Sequence, residues 1–231
     1  MRILHLADLH LEHSWFDWVA GHSPGYDLVV IAGDLQNAFS SSGMHDQARA
    51  ISRWLLNLSV PTIACSGNHD YWARDPRFSD DLAEGSWLRQ LRGKAQILGV
   101  DGDVVQLQGI RFAIKGWLQS LPHVNDSVDI VITHAPPAGI PCALDEANRD
   151  NGDSLLCESF VHPPRLILSG HIHSPRSHHS QWPPRDPTTL VLVPGCDEQS
   201  VTPAHWSIDL AAGIARHSGG ESVDIPAGFR R

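Results

Sequence analysis

The chain has 231 residues, of which 42% are hydrophobic and 19% are charged, a composition typical of a soluble globular protein that excludes a disordered chain. Its formal net charge of −9 argues against a broad basic surface that binds nucleic acid through the phosphates. The sequence has no stretch of about 18 uninterrupted apolar residues, and no membrane span is expected. Four cysteines without CxxC spacing, and an N-terminus without a signal-peptide core, lead us to expect a cytoplasmic protein.

Short apolar runs that end at Gly, Asp or Pro recur along the chain and predict buried strands. The predicted strands cover residues 3–7, 27–32, 62–65, 111–116, 129–133, 165–169, 190–193 and 205–210. Residues 104–107 and 111–116 flank Gln108-Gly109, which predicts a hairpin. His5 lies inside the first run, where we expect a core residue and not a ligand.

A helix is predicted between the second and third strands, because apolar side chains there are spaced to line one face. These side chains are Met44, Ala48, Ile51, Leu55 and Leu58. Two further helices are predicted at residues 80–91 and 154–161. This mixed order predicts an α/β fold in which two sheets pack together with helices outside. We expect one domain over residues 1–217 and a loose tail over residues 218–231.

Polar side chains with metal-binding chemistry follow the predicted strands, at the point where each apolar run ends. They are Asp8 and His10, Asp34, the run Asn68, His69 and Asp70, His134, and the pair His171 and His173. In α/β folds the loops at the carboxyl ends of strands converge on one crevice. We therefore expect these side chains to meet, although any one of them alone would be an ordinary turn residue.

The donor types in this set indicate which metal ions the crevice would take. Carboxylate, amide and imidazole donors without a cysteine suit Mn, Fe or Zn, whereas an all-oxygen set would suit Mg or Ca. Seven of these side chains, two Asp, one Asn and four His, are too many for one tetrahedral ion and fit two divalent ions that share a bridging carboxylate. Such a cluster keeps a net positive charge and would attract a phosphate oxygen despite the acidic chain.

Five motifs, taken in order, carry a resemblance to a known family. They are Asp8-Leu9-His10, Gly33-Asp34, Gly67-Asn68-His69-Asp70, His134 and Gly170-His171-Ile172-His173. In this order they resemble the motifs of the calcineurin-like metallophosphoesterases, which are dinuclear-metal phosphoesterases. The resemblance implies a four-layer α/β/β/α sandwich of two mixed sheets flanked by helices, with two metals at the strand ends.

The resemblance also implies a role for each motif residue. The first metal would be bound by Asp8, His10 and His173. The second metal would be bound by Asn68, His134 and His171. Asp34 would bridge the two ions.

The remaining two motif residues would be catalytic. His69 would stay free of the metals and donate a proton to the leaving group, while a metal-bridging hydroxide attacks phosphorus in line. Asp70 would hold the His69 imidazole or favour its charged form. The leading hypothesis is therefore a phosphoesterase that hydrolyses a small phosphodiester or phosphomonoester with two divalent ions.

Two other functions remain open. A metal-dependent nuclease could use the same site, but the sequence offers no basic stripe or strand-binding platform. A non-catalytic scaffold with this fold would be expected to have lost ligands or the proton donor, and here each position is intact. The sequence leaves the substrate, the native metal and the oligomeric state undetermined. The acidic loop 144–153 either roofs the cleft or is a solvated excursion.

Overall fold

The first sheet is built around strands whose sequences are almost wholly apolar and which are buried on both faces. The computed structural model describes residues 1–70, 86–122, 127–160, 162–185 and 187–229. Four strands run parallel, namely β1 (Arg2–Leu6), β2 (Leu28–Ala32), β3 (Thr62–Cys65) and β4 (Ile97–Gly99). On the other side of β1, antiparallel pairing adds β11 (Trp206–Asp209), β12 (Ile214–His217) and β13 (Ser222–Asp224). The strand order is β13-β12-β11-β1-β2-β3-β4.

The second sheet has the order β5-β6-β7-β8-β10-β9. Its strands are β5 (Val104–Leu107), β6 (Ile110–Lys115), β7 (Ile130–Thr133), β8 (Leu166–Leu168), β9 (His179–Trp182) and β10 (Thr189–Leu192). Strands β6, β7, β8 and β10 are parallel, and the two edge strands are antiparallel. The predicted hairpin of β5 and β6 is confirmed. Gln108 and Gly109 both have positive φ, at 49° and 80°, which is the conformation of a two-residue turn whose twist matches that of the flanking strands.

The core has three apolar clusters, which correspond to the spaces between layers. Alternate side chains of the two sheets, such as Val30 and Phe112, form the cluster between them. A second cluster lies between the outer face of the first sheet and the helices that pack on it, which are α1 (His13–His22), α2 (Met44–Asn57) and α3 (Ser86–Arg89). Outside the second sheet, the described residues provide loops and the 3₁₀ turns Pro141–Ala143 and Leu156–Glu158. The predicted α/β sandwich is confirmed, with a thinner outer layer on this side.

Helix α2 agrees closely with its prediction. Ala48, Ile51 and Leu55 are buried along one face, as their spacing requires. Of the predicted helix 80–91, residues 80–85 lie outside the described residues, and α3 begins at Ser86. Within the described ranges, no helix is both long and apolar enough to span a bilayer.

Two expectations are wrong in the described residues. The helix predicted at 154–161 is instead the 3₁₀ turn Leu156–Glu158, with residue 161 outside the described residues. Asp153 caps the start of this turn, but Pro163 follows too soon for a longer helix. The tail is not loose throughout: Ser222–Asp224 pairs with β12 as an edge strand, and Ile225 is buried. The placement of a domain boundary at residue 217 remains a prediction.

Candidate metal centre

The loops that follow β1, β2, β3, β7 and β8 meet at one edge of the sandwich, as the strand-end argument predicts. Backbone hydrogen bonds join these loops directly. The Asp8 amide donates to the Gly33 carbonyl at 3.0 Å, the His10 amide to the Asp34 carbonyl at 3.0 Å, and the Gly170 amide to the His134 carbonyl at 2.7 Å. The predicted ligands are therefore fixed relative to one another by the backbone.

Four of these ligands lie in the left-handed region, which side chains other than glycine rarely adopt. Their φ angles are 55° at Asp8, 43° at His10, 54° at Asp34 and 71° at His171. Such conformations cost about 1–3 kcal/mol each and cluster at functional sites. In this backbone conformation each side chain leaves the path of the preceding strand and points towards the shared crevice.

The side chains proposed for a first metal converge on one point. His10 Nε2 lies 3.0 Å from His173 Nε2. Asp8 Oδ1 lies 3.7 Å from His173 Nε2 and 3.9 Å from His10 Nε2. The Asp8 carboxylate is oriented by the His171 amide, which donates to its Oδ2 at 3.0 Å. Three ligand atoms thus surround a space of the size that one ion needs.

The side chains proposed for a second metal lie beside this group. His134 Nε2 is 3.0 Å from Asn68 Oδ1, and the rings of His134 and His171 have centroids 4.9 Å apart. His134 Nδ1 faces the Ala32 carbonyl oxygen at 2.7 Å and donates to it, which directs Nε2 to the centre of the cluster.

Asp34 lies between the two groups. Its Oδ2 is 3.3 Å from His134 Nε2 and 3.9 Å from His10 Nε2. Its Oδ1 accepts the His69 amide at 2.8 Å, so this oxygen holds the carboxylate while Oδ2 faces both groups. This is the position that a bridging ligand requires.

The charges of the site respond to burial and to each other. Burial raises the pKa of Asp8 to about 7, against the opposing charge of His134. Burial also disfavours the charged form of Asp34, but the charge of His134 and its hydrogen bond outweigh this and lower the pKa of Asp34. Burial would lower the pKa of His134, yet Asp34 and Asp8 raise it to about 9. Burial lowers the pKa of His10 to about 4.

The donor chemistry tests whether the residues fit metal ions. His134 Nε2 lies against Asn68 Oδ1 and Asp34 Oδ2, so acceptor atoms converge on the centre of the cluster, where a cation would stabilise them. Ligand atoms lie within 4.8 Å of one another in the groups Asp8–Asp34–His134, His10–Asp34–His69 and His10–His173–Cys196. Neutral imidazoles, carboxylates and an amide are suitable donors for divalent ions, and the residues fit.

His69 lies next to this cluster and its tautomer is defined. The Ala38 amide donates to His69 Nδ1 at 3.1 Å, so the neutral ring carries its proton on Nε2. Nε2 lies 4.0 Å from Asp34 Oδ2. The N–H of the ring is thus on the side of the ring that faces the cluster, where a proton donor would act.

Asp70 does not hold the His69 ring, and this part of its predicted role is corrected. Its carboxylate, which is fully buried, accepts backbone amides from Gly67 at 2.9 Å, Gln36 at 3.0 Å and Leu35 at 3.3 Å. Burial and the nearby Asp34 raise the pKa of Asp70 to about 7, against these hydrogen bonds. Asp70 therefore fastens the loop after β2 to the loop after β3.

Two residues near the ligands were not among the predicted site residues. The Trp117 ring, just after β6, has its centroid 5.1 Å from that of His171 and 5.5 Å from that of His134. Trp117 directly follows the predicted strand 111–116, as the predicted ligands follow their strands, and this position could have indicated that it lies near the site. Cys196 Sγ lies 3.5 Å from the Asp8 carbonyl oxygen, and burial raises the pKa of its thiol.

The acidic loop 144–153 lies beside the ligands. Asp145, Glu146 and Arg149 line a cavity of about 530 Å³ together with His171 and His173. The loop thus borders the ligands on the side of His171 and His173, and its predicted role as a roof of the cleft stays a prediction.

The fold and the site together define a two-sheet α/β protein with a cluster of metal-type ligands at its strand ends. The family model described as calcineurin-like phosphoesterase matches residues 1–175. The chain belongs to this family, and it is a phosphoric ester hydrolase.

Named relatives and solved structures agree with this assignment. The chain is 24% identical over 208 residues to a probable cyclic nucleotide phosphodiesterase of Xenorhabdus bovienii, covering 78% of this chain and 81% of that protein. It is 27% identical over 165 residues to another of Synechococcus sp., covering 64% of this chain and 58% of that protein. A crystal structure from Thermus thermophilus aligns at a TM-score of 0.59 and 14% identity, covering 96% and 98% of the two chains. That likeness supports the fold alone.

Proposed function

We propose that the chain is a phosphodiesterase that uses two divalent ions, Mn, Fe or Zn, to hydrolyse a small phosphodiester. The observation that carries the proposal is the convergence of two groups of ligand atoms on either side of the Asp34 carboxylate. Diesters are preferred over monoesters because the two curated relatives are named as probable cyclic nucleotide phosphodiesterases. The proposed compartment is the cytoplasm, which suits the free thiols of Cys65, Cys142 and Cys196.

The proposed metal ligands are those of the sequence prediction. Asp8, His10 and His173 would bind one ion, Asn68, His134 and His171 the other, and Asp34 both. Divalent ions bound there supply a hydroxide nucleophile near neutral pH and neutralise the phosphoryl oxygens. The buried Asp34 and Asp8 return negative charge, so that the site keeps a modest positive balance for a phosphate group.

His69 acts as the proton donor in this proposal. Its Nε2–H faces the cluster, because the Ala38 amide occupies Nδ1. For the transfer the ring must be an imidazolium, with a second proton on Nδ1 in place of the Ala38 hydrogen bond. The Nε2 proton then passes to the ester oxygen as the bond from that oxygen to phosphorus breaks, which leaves a neutral ring. General acid catalysis of this kind contributes about 10²–10⁴-fold to the rate. Asp70 supports the step indirectly by holding the loop that carries His69.

The test measures hydrolysis of bis(4-nitrophenyl) phosphate by protein loaded with Mn. We expect Asp34→Ala to lose metal and activity together. His69→Ala should keep metal, and because 4-nitrophenolate leaves without protonation, its loss in kcat should be small here and about 10²–10⁴-fold on a dialkyl phosphodiester. His22→Ala, an exposed histidine on α1, is the matched control and should behave as wild type. Full activity of Asp34→Ala, or equal losses of His69→Ala on both diesters, would refute the proposed roles. Metal content well below one ion per chain would favour the scaffold hypothesis instead.

A further inference from the structure

A cavity of about 370 Å³ opens beside the second group of ligands, and nothing described above assigns it a role. Its lining includes His134, Trp117, Lys115, Asp153, Leu118 and Leu155. Cavities of this size are within the range that binds small ligands. Because His134 is both a proposed metal ligand and part of this lining, the cavity lies next to the second group of ligands.

Trp117 forms one wall of this cavity and is firmly positioned. Its backbone amide donates to both the carbonyl oxygen and the Oγ of Ser66, each at 3.1 Å. Its ring packs near the rings of His134 and His171, as described above. The side chain remains only half-buried, so part of the indole is available to a ligand.

Another part of the lining is held by an ion pair. Lys115 Nζ lies 2.9 Å from Asp153 Oδ2, and the two side chains are 8% and 19% exposed. Asp153 is further fixed because its backbone pairs with Pro136 and Ala138. The Lys115 charge is therefore neutralised within the wall, and the described lining residues include no other lysine or arginine for a second phosphate.

Apolar side chains form the rim. Leu118 is 72% exposed and Leu155 is 70% exposed, and both line the cavity. Large apolar side chains this exposed are costly to hydrate, and a ligand that covers them gains by removing them from water. An indole wall with an apolar rim is the chemistry that accepts a flat, apolar ring.

We propose that this cavity binds a planar aromatic substituent of the phosphodiester, stacked on Trp117. The inference rests on the proposed function and deepens it by naming the substrate class: diesters whose retained ester group carries an aromatic ring. The ring enters the cavity from the His134 side of the phosphate. The leaving oxygen lies towards His69, which is not among the described residues that line the cavity.

The test uses two diesters with the same leaving group, 4-nitrophenyl phenyl phosphate and 4-nitrophenyl methyl phosphate. Because the bond that breaks is the same, their ratio of kcat/KM reports the retained group. We expect the Mn-loaded wild type to prefer the phenyl ester by about 10-fold or more, mainly through KM. Trp117→Ala should bring the ratio close to unity, and Trp117→Phe should keep most of it.

Controls separate a loss of stacking from damage to the metal centre, which Trp117 also contacts. Damage would slow both esters equally and leave their ratio unchanged. Leu155→Ser removes apolar rim surface away from the ligands and should reduce the ratio by about 3-fold. Val104→Ser, on the edge strand β5 outside the cavity, should leave it unchanged.

The outcomes distinguish the two proposals. If the wild type cleaves both esters with equal kcat/KM, the aromatic cavity is refuted and the phosphodiesterase stands. A preference for the phenyl ester that survives Trp117→Ala and Leu155→Ser also refutes the cavity. If neither ester is cleaved by metal-loaded protein, the proposed function fails and the inference fails with it.

Discussion

The role of Asp70 gives the sharpest test of how the site is built. Substitution of Asp70 by Ala removes the acceptor of three backbone amides, those of Leu35, Gln36 and Gly67. The carboxylate is fully buried, so no bulk water replaces it. A buried donor left without a partner costs about 1–3 kcal/mol. Allowing for partial relaxation, we expect the free energy of unfolding to fall by about 3–6 kcal/mol.

The magnitude is large compared with the total stability of a domain, which is about 5–15 kcal/mol. Asp70→Asn keeps one acceptor oxygen and replaces the other by a donor, so we expect a smaller loss of about 1–3 kcal/mol. If Asp70→Ala does not fold, the Asn variant still tests the argument. Both are measured by urea denaturation of the metal-free chain, which separates the fold from the metal.

The matched control is Asp209, which also accepts two backbone amides, from Ala211 and Ala212, at 3.0 and 2.9 Å. It is the last residue of β11 and is partly exposed, so water can replace the carboxylate. We expect Asp209→Ala to cost about 1 kcal/mol or less. Equal losses for Asp70→Ala and Asp209→Ala would refute the role of burial. A loss of activity in Asp70→Ala without any loss of stability would restore a direct catalytic role.

Three further predictions concern buried positions. Burial lowers the pKa of His5 from 6.5 to about 3, so between these pH values the unfolded chain binds one more proton than the folded chain, and stability falls as the pH falls. His5→Leu should therefore reduce the slope of the unfolding free energy against pH by about 1.4 kcal/mol per pH unit between pH 6 and pH 4. Parallel curves for the two proteins would contradict this. At Gly170 a Cβ would lie 2.7 Å from Asp8 Oδ2 and would displace this carboxylate. Gly170→Ala should therefore weaken Mn binding by about 10-fold or more, as measured by calorimetry. Unchanged Mn affinity would count against Asp8 as a ligand. Lys115→Met leaves Asp153 without its ion-pair partner and should lower the free energy of unfolding by about 2–4 kcal/mol, as measured by urea denaturation. The double variant with Asp153→Asn should recover part of this loss. An absence of recovery would argue against a contribution from the ion pair.

The sequence predicted the central strands well, because near-continuous apolar runs are unmistakable when a strand is buried on both faces. It missed strands β4, β9, β12 and β13: for example, β9 reads HSQW with alternating burial, and β13 is only three residues long. It also missed α1, whose buried residues Trp15, Phe16 and Val19 form a narrow stripe directly after a metal motif. Such elements depend on the sheet beside them more than on their own pattern.

The types of side chain in the candidate site were predictable, since each follows a predicted strand and the ends of parallel strands converge. Their partners were not. Asp70 is adjacent to His69 in sequence, yet its carboxylate contacts amides that lie 34 and 35 residues earlier. That contact exists because β2 and β3 are parallel neighbours, so that the loops after them lie side by side. Adjacency in sequence was a poor guide because the two residues lie in a turn, in which the His69 ring faces the ligands and the Asp70 carboxylate packs against backbone amides.

The same neighbour relation explains how strained ligands are kept in place. Asp8, His10 and Asp34 all have positive φ, and each takes part in the backbone hydrogen bonds that continue between the loops after β1 and β2. These bonds supply the free energy that offsets about 1–3 kcal/mol of strain at each ligand. The burial of the two strands then sets where the loops begin, and the loops set where the carboxylates point. The ligand geometry is thus a property of the sheet, which is why sheet and site arise from the same run of sequence.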